Sequence, residues 1–208
     1  MQKVNYQAVL DNELKQIVQQ NKTPKLLLHA CCAPCSSYVL EYLTEYFDII
    51  LYYYNPNISP ESEYQYRLNE LQRLISEMPL KNKVTITPSE YAPECFYELA
   101  EGLENLPERS LRCQKCIYHR LEKTVQKAIE LNADYFTTTL TISPYKDGAY
   151  INKIGGELQE KYGMKYLFSD FKKREGYKRS IQLSAEYNLY RQDFCGCVYS
   201  KKMSENKN

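Results

Sequence analysis

Seven of the eight cysteines in this 208-residue chain fall into three short groups, each next to a segment with helix-forming character. The first group, Cys31-Cys32-Ala33-Pro34-Cys35, follows the apolar run Leu26-Leu27-Leu28-His29-Ala30. The second, Arg112-Cys113-Gln114-Lys115-Cys116, has the C-x-x-C spacing that lets two sulfurs face one metal centre. In the third, Cys195-Gly196-Cys197, the glycine permits the tight backbone that brings two thiols round together. Backbone N–H groups at a helix N-terminus favour negative charge, so thiolates are stabilised at such junctions. Cys95 stands outside the groups and reads as a plain thiol.

The compartment decides what such thiols are for. The first twenty residues alternate polar and apolar side chains and lack the apolar core of a secretory signal. No stretch approaches the ~18 consecutive apolar residues of a membrane span. The chain is therefore read as cytoplasmic, with no membrane partner. Structural disulfides rarely persist in a reducing compartment, which leaves metal binding or catalysis as the role of the cysteines. A structural zinc takes four thiolates. Seven grouped thiols are better used by a four-thiolate iron–sulfur cluster beside a second redox or metal group, although spacing alone leaves zinc open. The net charge of +1 gives no bulk field for nucleic acid, so any basic patch is local. The 21 tyrosines, with no tryptophan, supply amphipathic rings, some of which are candidates for stacking on a base-like substrate.

Apolar spacing predicts an opening amphipathic helix from Val4, Val9, Leu10, Leu14, Ile17 and Val18, then strands near residues 25–30, 49–54, 84–86, 135–140 and 166–168. Between them lie helices beginning at Pro34 and spanning about 61–78, 114–131 and 151–162, with a last one at 181–187. Strands alternating with helices imply an α/β fold, a single domain with a mostly parallel Rossmann-like sheet flanked by helices. Residues 1–24 read as an N-terminal helical extension, 25–200 as the catalytic domain and 201–208 as a flexible tail. In open parallel sheets ligands bind beyond the carboxyl ends of the strands. The first cysteine group, Asn55-Pro56-Asn57 and Thr141-Ile142-Ser143-Pro144 all sit at such ends and should converge on one crevice.

Leu28-His29-Ala30-Cys31-Cys32-Ala33-Pro34-Cys35, Tyr54-Asn55-Pro56-Asn57-Ile58, Arg109-Ser110-Leu111-Arg112-Cys113-Gln114-Lys115-Cys116, residues 137–146 and Tyr190-Arg191-Gln192-Asp193-Phe194-Cys195-Gly196-Cys197 together resemble the epoxyqueuosine reductase family that works without cobalamin. The resemblance runs from about residue 25 to 200, with the motifs in matching order, and the sheet it implies is of the HUP or PP-loop kind. It implies the last step of queuosine synthesis on tRNA, in which an epoxide at the anticodon wobble position is deoxygenated to an alkene. It also implies a [4Fe–4S] cluster with an additional iron ion nearby. On this resemblance Cys31, Cys32, Cys113 and Cys116 are assigned to the cluster. Cys195 and Cys197 form either a redox-active dithiol and disulfide or, with Cys35, ligands to the second iron. Asp193, Tyr190 and His29 are the candidate proton donors, although a histidine ending an apolar strand is more often a satisfied core residue.

A tRNA substrate needs phosphate contacts, and the densest basic stretch is Lys172-Lys173-Arg174-Glu175-Gly176-Tyr177-Lys178-Arg179-Ser180, followed by Arg191. Lys173, Lys178, Arg179 and Arg191 are the candidate contacts, with Phe171 and Tyr177 as stacking partners for anticodon-loop bases. Asn55, Asn57, Ser143 and Tyr145 are further candidate substrate contacts. The electron donor is not legible. Two other readings compete. An ATP-using sulfur transferase of the PP-loop kind needs a glycine-rich phosphate loop after the first strand, and residues 31–37 contain no glycine. A non-catalytic, zinc-bound tRNA-binding module would leave the surplus cysteines unexplained.

Overall fold

The computed structural model describes residues 4–205. Five strands, β1 (Lys25–His29), β2 (Asp48–Tyr53), β3 (Val84–Pro88), β4 (Tyr135–Thr138) and β5 (Lys165–Tyr166), form one sheet in the order β3-β2-β1-β4-β5. Every neighbouring pair is parallel. The helices are α1 (Tyr6–Gln19), α2 (Ala33–Leu43), α3 (Glu61–Glu77), α4 (Glu94–Ala100), α5 (Leu111–Glu130), α6 (Gly148–Tyr162), α7 (Gly176–Glu186) and α8 (Val198–Glu205). Among them none is long and apolar enough to cross a membrane.

Alternation along the strands splits the core in two, because successive side chains point to opposite faces. Leu26, Leu28, Ile49, Leu51 and Tyr53 join one cluster with side chains of α1, α2 and α3. Leu27, Tyr52 and Phe136 join the other with Leu121, Val125, Ile151 and Ile154 of α5 and α6. The chain leaves β1 towards β2 and β3 on one side and returns to β4 and β5 on the other. Strand order therefore reverses between β1 and β4, and the crevice opens there, at their carboxyl ends.

Several elements depart from their expected bounds for local reasons. α1 buries Leu10, Leu14 and Ile17 in the main core, while Val4, Val9 and Val18 are exposed, so α1 contributes to the core of the fold. β4 ends at Thr138 instead of running to Leu140, because the Thr138 hydroxyl accepts from the Leu140 N–H at 3.1 Å and tips the chain into a 3-10 turn, Thr139–Ile142. The short α4 was not expected at all. The segment expected as a loose tail is helical as far as Glu205, and residues 206–208 lie outside the described residues. Gly155 lets α6 approach β5 closely, since a Cβ there would meet the Tyr166 ring at 2.2 Å.

Candidate metal and redox site

All three cysteine groups lie at helix N-termini. Cys32 is the N-cap of α2, Cys113 lies in the first turn of α5 with Cys116 three residues on, and Cys195-Gly196-Cys197 runs directly into α8. Pro34 opens α2 and removes a backbone donor, so this loop offers phosphate less than a glycine-rich one would.

The sulfurs of Cys31, Cys32 and Cys35 all lie within 4.8 Å of one another, with Cys31 and Cys32 at 3.7 Å. They line a cavity of about 310 Å³ at the β1–β4 switch, together with Arg67, Arg120, Lys146 and Cys195. Cys113, Cys116, Cys195 and Cys197 line an adjoining cavity of about 20 Å³. The Cys195 and Cys197 sulfurs are 3.5 Å apart, and all eight thiols are free. The structure thus gathers the sulfurs as three and four, with Cys195 facing both spaces. Cys95, on α4, lines neither.

In the first and third cysteine groups the thiols are driven apart in acidity. Hydrogen bonding from Cys32 and Cys35 holds Cys31 well below the ordinary thiol range against the cost of burial, helped by Arg120. Its neighbour Cys32 is pushed up to about 12, first through its bond to Cys31, and Cys35 rises as well. Cys195 is likewise held well below the thiol range by its bond with Cys197, with Lys146 adding to the effect, while Cys197 is driven up. Cys116 is pushed up by burial. The Lys146 ammonium rises despite burial because Cys195, Cys113 and Cys116 surround it.

The Cys195-Gly196-Cys197 turn is fixed from several sides. Gly196 has φ +107, and a Cβ there would sit 2.9 Å from Ile58 Cγ1 and 3.1 Å from Arg67 Nη1. The Gly196 carbonyl accepts from the Ser59 N–H at 2.9 Å. Ser200 donates its N–H to the Cys197 sulfur at 3.3 Å and its hydroxyl to Glu108. Asn57, almost fully buried, points its amide nitrogen at the Cys195 carbonyl at 3.5 Å.

The expected site residues divide. Ser143, Tyr145, Arg191 and Asp193 line the larger cavity, with Tyr145 68 % exposed at its mouth. Tyr177 lines it too, beneath the Arg191 guanidinium. Asn55 is fully buried and uses both ends of its amide on the protein, donating to Ala30 O at 2.9 Å and accepting from Arg120 at 2.6 Å. Phe171 is buried in the main core and is not available for stacking on a base. Lys173, Lys178 and Arg179 lie outside the cavity wall. Lys178 pairs with Glu175, Arg179 pairs with Glu41 of α2, and Lys173 has no carboxylate partner among the described residues. Tyr190 does not line the cavity, and its N–H is held by Glu70 at 2.6 Å. His29 is a core histidine lowered to about 3, mainly by burial and then by Arg120, so it stays neutral.

Three cations at the site were not singled out from the sequence: Arg67, Arg120 and Lys146. An arginine on an amphipathic helix normally reads as surface. For Arg120 one signal existed, since Cys113, Cys116 and Arg120 fall at i, i+3 and i+7 on α5 and so share a face. Arg67 offered none.

The family model described as Epoxyqueuosine reductase QueH matches residues 26–203. A protein of that name from Streptococcus pyogenes serotype M1 is 46% identical over 204 residues, covering 97% of this chain and 80% of the relative. One from Staphylococcus epidermidis is 43% identical over 203 residues, covering 96% and 85%. One from Thermotoga maritima is 37% identical over 181 residues, covering 84% and 89%. With its sheet, its grouped cysteines and these relatives, the chain belongs to the epoxyqueuosine reductase QueH family.

Proposed function

We propose that this chain, acting in the cytoplasm, reduces epoxyqueuosine in the anticodon loop of tRNA to queuosine, drawing on an electron donor. The observation that carries the reading is the meeting of the three cysteine-bearing helix N-termini at one pair of adjoining cavities, at the switch point of a sheet whose family is named for this reaction. The donor set fits a thiophilic centre, because the close-set ligand atoms are all sulfur and His29 has both ring nitrogens engaged inside the protein. When bound by Cys31, Cys32, Cys113 and Cys116, with an additional iron near Cys35, a [4Fe–4S] cluster supplies single electrons and a Lewis acid for the epoxide oxygen.

The chain's own residues balance the rest. Deoxygenation breaks both epoxide C–O bonds, forms the alkene and releases the oxygen as water, consuming two electrons and two protons. A thiolate and a thiol that close to a disulfide give up two electrons and one proton, so Cys195 and Cys197 supply the electrons of one turnover, the second proton comes from solvent, and the external donor restores the pair. Asp193, on the cavity wall, relays a proton to the departing oxygen. Ser143, Tyr145 and Arg191 hold the modified base at the mouth, and Asn55 and Asn57 support the floor. Lys173, Lys178 and Arg179 contribute positive charge along the phosphate backbone, with Lys173 the freest of them.

One observation favours a second ligand partition. Ligands of a single tetrahedral ion with bonds of about 2.3 Å stand roughly 3.8 Å apart, close to the 3.7 Å between Cys31 and Cys32. The three-and-four grouping would then hold separate centres. Iron, zinc and acid-labile sulfide measured on protein purified without oxygen test both readings. Iron with matching sulfide supports the cluster. Zinc alone, in a colourless protein that takes up no iron on reconstitution, overturns the redox reading.

A further inference from the structure

Arg120 is 5 % exposed on α5, and its side chain reaches under the carboxyl ends of β1 and β2. Its Nη2 donates to Asn55 Oδ1 at 2.6 Å and its Nε to His29 Nε2 at 3.3 Å. His29 Nε2 also lies 3.1 Å from the Tyr54 carbonyl oxygen, and its Nδ1 lies 2.8 Å from Thr138 Oγ1, so the imidazole is held in place from both ends. Neither partner of Arg120 is a carboxylate. A buried guanidinium costs several kcal/mol unless an anion answers it.

The other two arginines in the core are answered in part, with Arg67 Nη2 and Arg112 Nε and Nη2 left without a hydrogen-bond partner among the described residues. Arg67 pairs with Glu63 at 2.7 Å, and Arg112 donates to the carbonyls of Leu103, Glu104 and Leu106. Arg120 has no carboxylate and no backbone carbonyl acceptor among the described residues, only the Asn55 side-chain amide oxygen. What it does have is thiols, for it lines the larger cavity with Cys31, Cys32 and Cys35, and the smaller one with Cys113, Cys116, Cys195 and Cys197.

We infer that Arg120 is the fixed counter-charge of the thiolate-bound centre, clamped by Asn55 and His29, and that it sets how readily this centre accepts an electron. The inference rests on the reading of the cysteines as metal ligands. It does not depend on how they are partitioned, because Arg120 faces both groups. A thiolate-ligated centre is anionic and gains negative charge on reduction, and a fixed cation in a low-dielectric wall favours that gain. Lys146 lines the same two cavities on a flexible stem, whereas Arg120 is held in one place.

The test is a redox titration of reconstituted protein followed by visible absorbance, with iron content measured on each sample. Arg120→Met is expected to keep its iron and to shift the one-electron midpoint negative by at least a tenfold change in the reduction equilibrium, which is about 59 mV. Arg120→Lys restores most of the shift. Asn55→Asp, which leaves the arginine in place but neutralises it with a carboxylate, shifts the midpoint in the same direction as Arg120→Met. Unchanged midpoints in Arg120→Met and Asn55→Asp, at wild-type iron content, overturn the inference.

If wild-type protein takes up no iron, the cluster reading has failed separately, and Cd²⁺ titration of the metal-free protein decides the counter-charge. Affinity for Cd²⁺ at least tenfold weaker in Arg120→Met, and near wild type in Arg120→Lys, supports it. Equal affinity in Arg120→Met and wild type overturns it.

Discussion

Gly196 and Arg67, far apart in sequence, are packed so closely that a single added carbon at Gly196 would lie 3.1 Å from the Arg67 guanidinium. The same guanidinium sits over the Phe194 ring at 5.2 Å and approaches the Cys195 carbonyl at 3.5 Å. α3 therefore dictates the shape of the turn that presents Cys195 and Cys197.

Gly196→Ala is expected to be costly on two counts. Alanine disfavours φ +107, and its Cβ would meet Ile58 as well as Arg67. A loss of about 1–3 kcal/mol in urea denaturation should accompany a much larger loss of turnover, because the sulfur pair is displaced. Wild-type turnover in this variant would show that the pair's placement is not critical.

Cys195→Ser should separate metal binding from electron delivery. The variant is expected to retain the iron and brown absorbance of the wild type while losing turnover at least a hundredfold, roughly 2.7 kcal/mol of barrier. If iron is lost instead, Cys195 belongs among the metal ligands, as the second partition requires.

The basic residues are not equivalent. Arg179 is tied to Glu41 by contacts of 3.0 and 2.5 Å, joining α7 to α2, whereas Lys173 is unpaired among the described residues and Arg191 stands at the cavity mouth. Filter binding of tRNA over a salt series should show Lys173→Ala and Arg191→Ala each reducing the salt slope by about one, with Arg179→Ala changing it less. Equal slopes in wild type and all three variants would move the tRNA surface elsewhere.

Gly155→Ala tests the fold away from the chemistry. The added Cβ would lie 2.2 Å from the buried Tyr166 ring, so α6 must move off β5. Overpacking of this kind costs about 1–3 kcal/mol. Thermal unfolding should show it, and Gly155→Ala combined with Tyr166→Leu should recover part of the loss.

The parts of the fold legible in sequence are those written in long apolar runs. Leu26-Leu27-Leu28 and the segment from Ile49 announce strands because both sheet faces are covered. α4 was not legible, since only Phe96 and Ala100 of its seven residues are buried, too few to make a period. α7 begins five residues earlier than its apolar spacing suggested, because its first turn, Gly176-Tyr177-Lys178-Arg179, carries no aliphatic residue to start the period. The cysteines announce the site by their grouping. Arg67, Arg120 and the internal role of Asn55 do not, because each depends on tertiary burial that no local pattern records.

The central claim is tested most directly by incubating reconstituted protein anaerobically with tRNA carrying epoxyqueuosine and a low-potential reductant, then digesting the tRNA and quantifying its nucleosides by mass spectrometry. Queuosine should replace epoxyqueuosine in step, and Cys195→Ser should leave the epoxide intact. Epoxyqueuosine that persists with wild-type protein of full iron and sulfide content would contradict the proposed reaction.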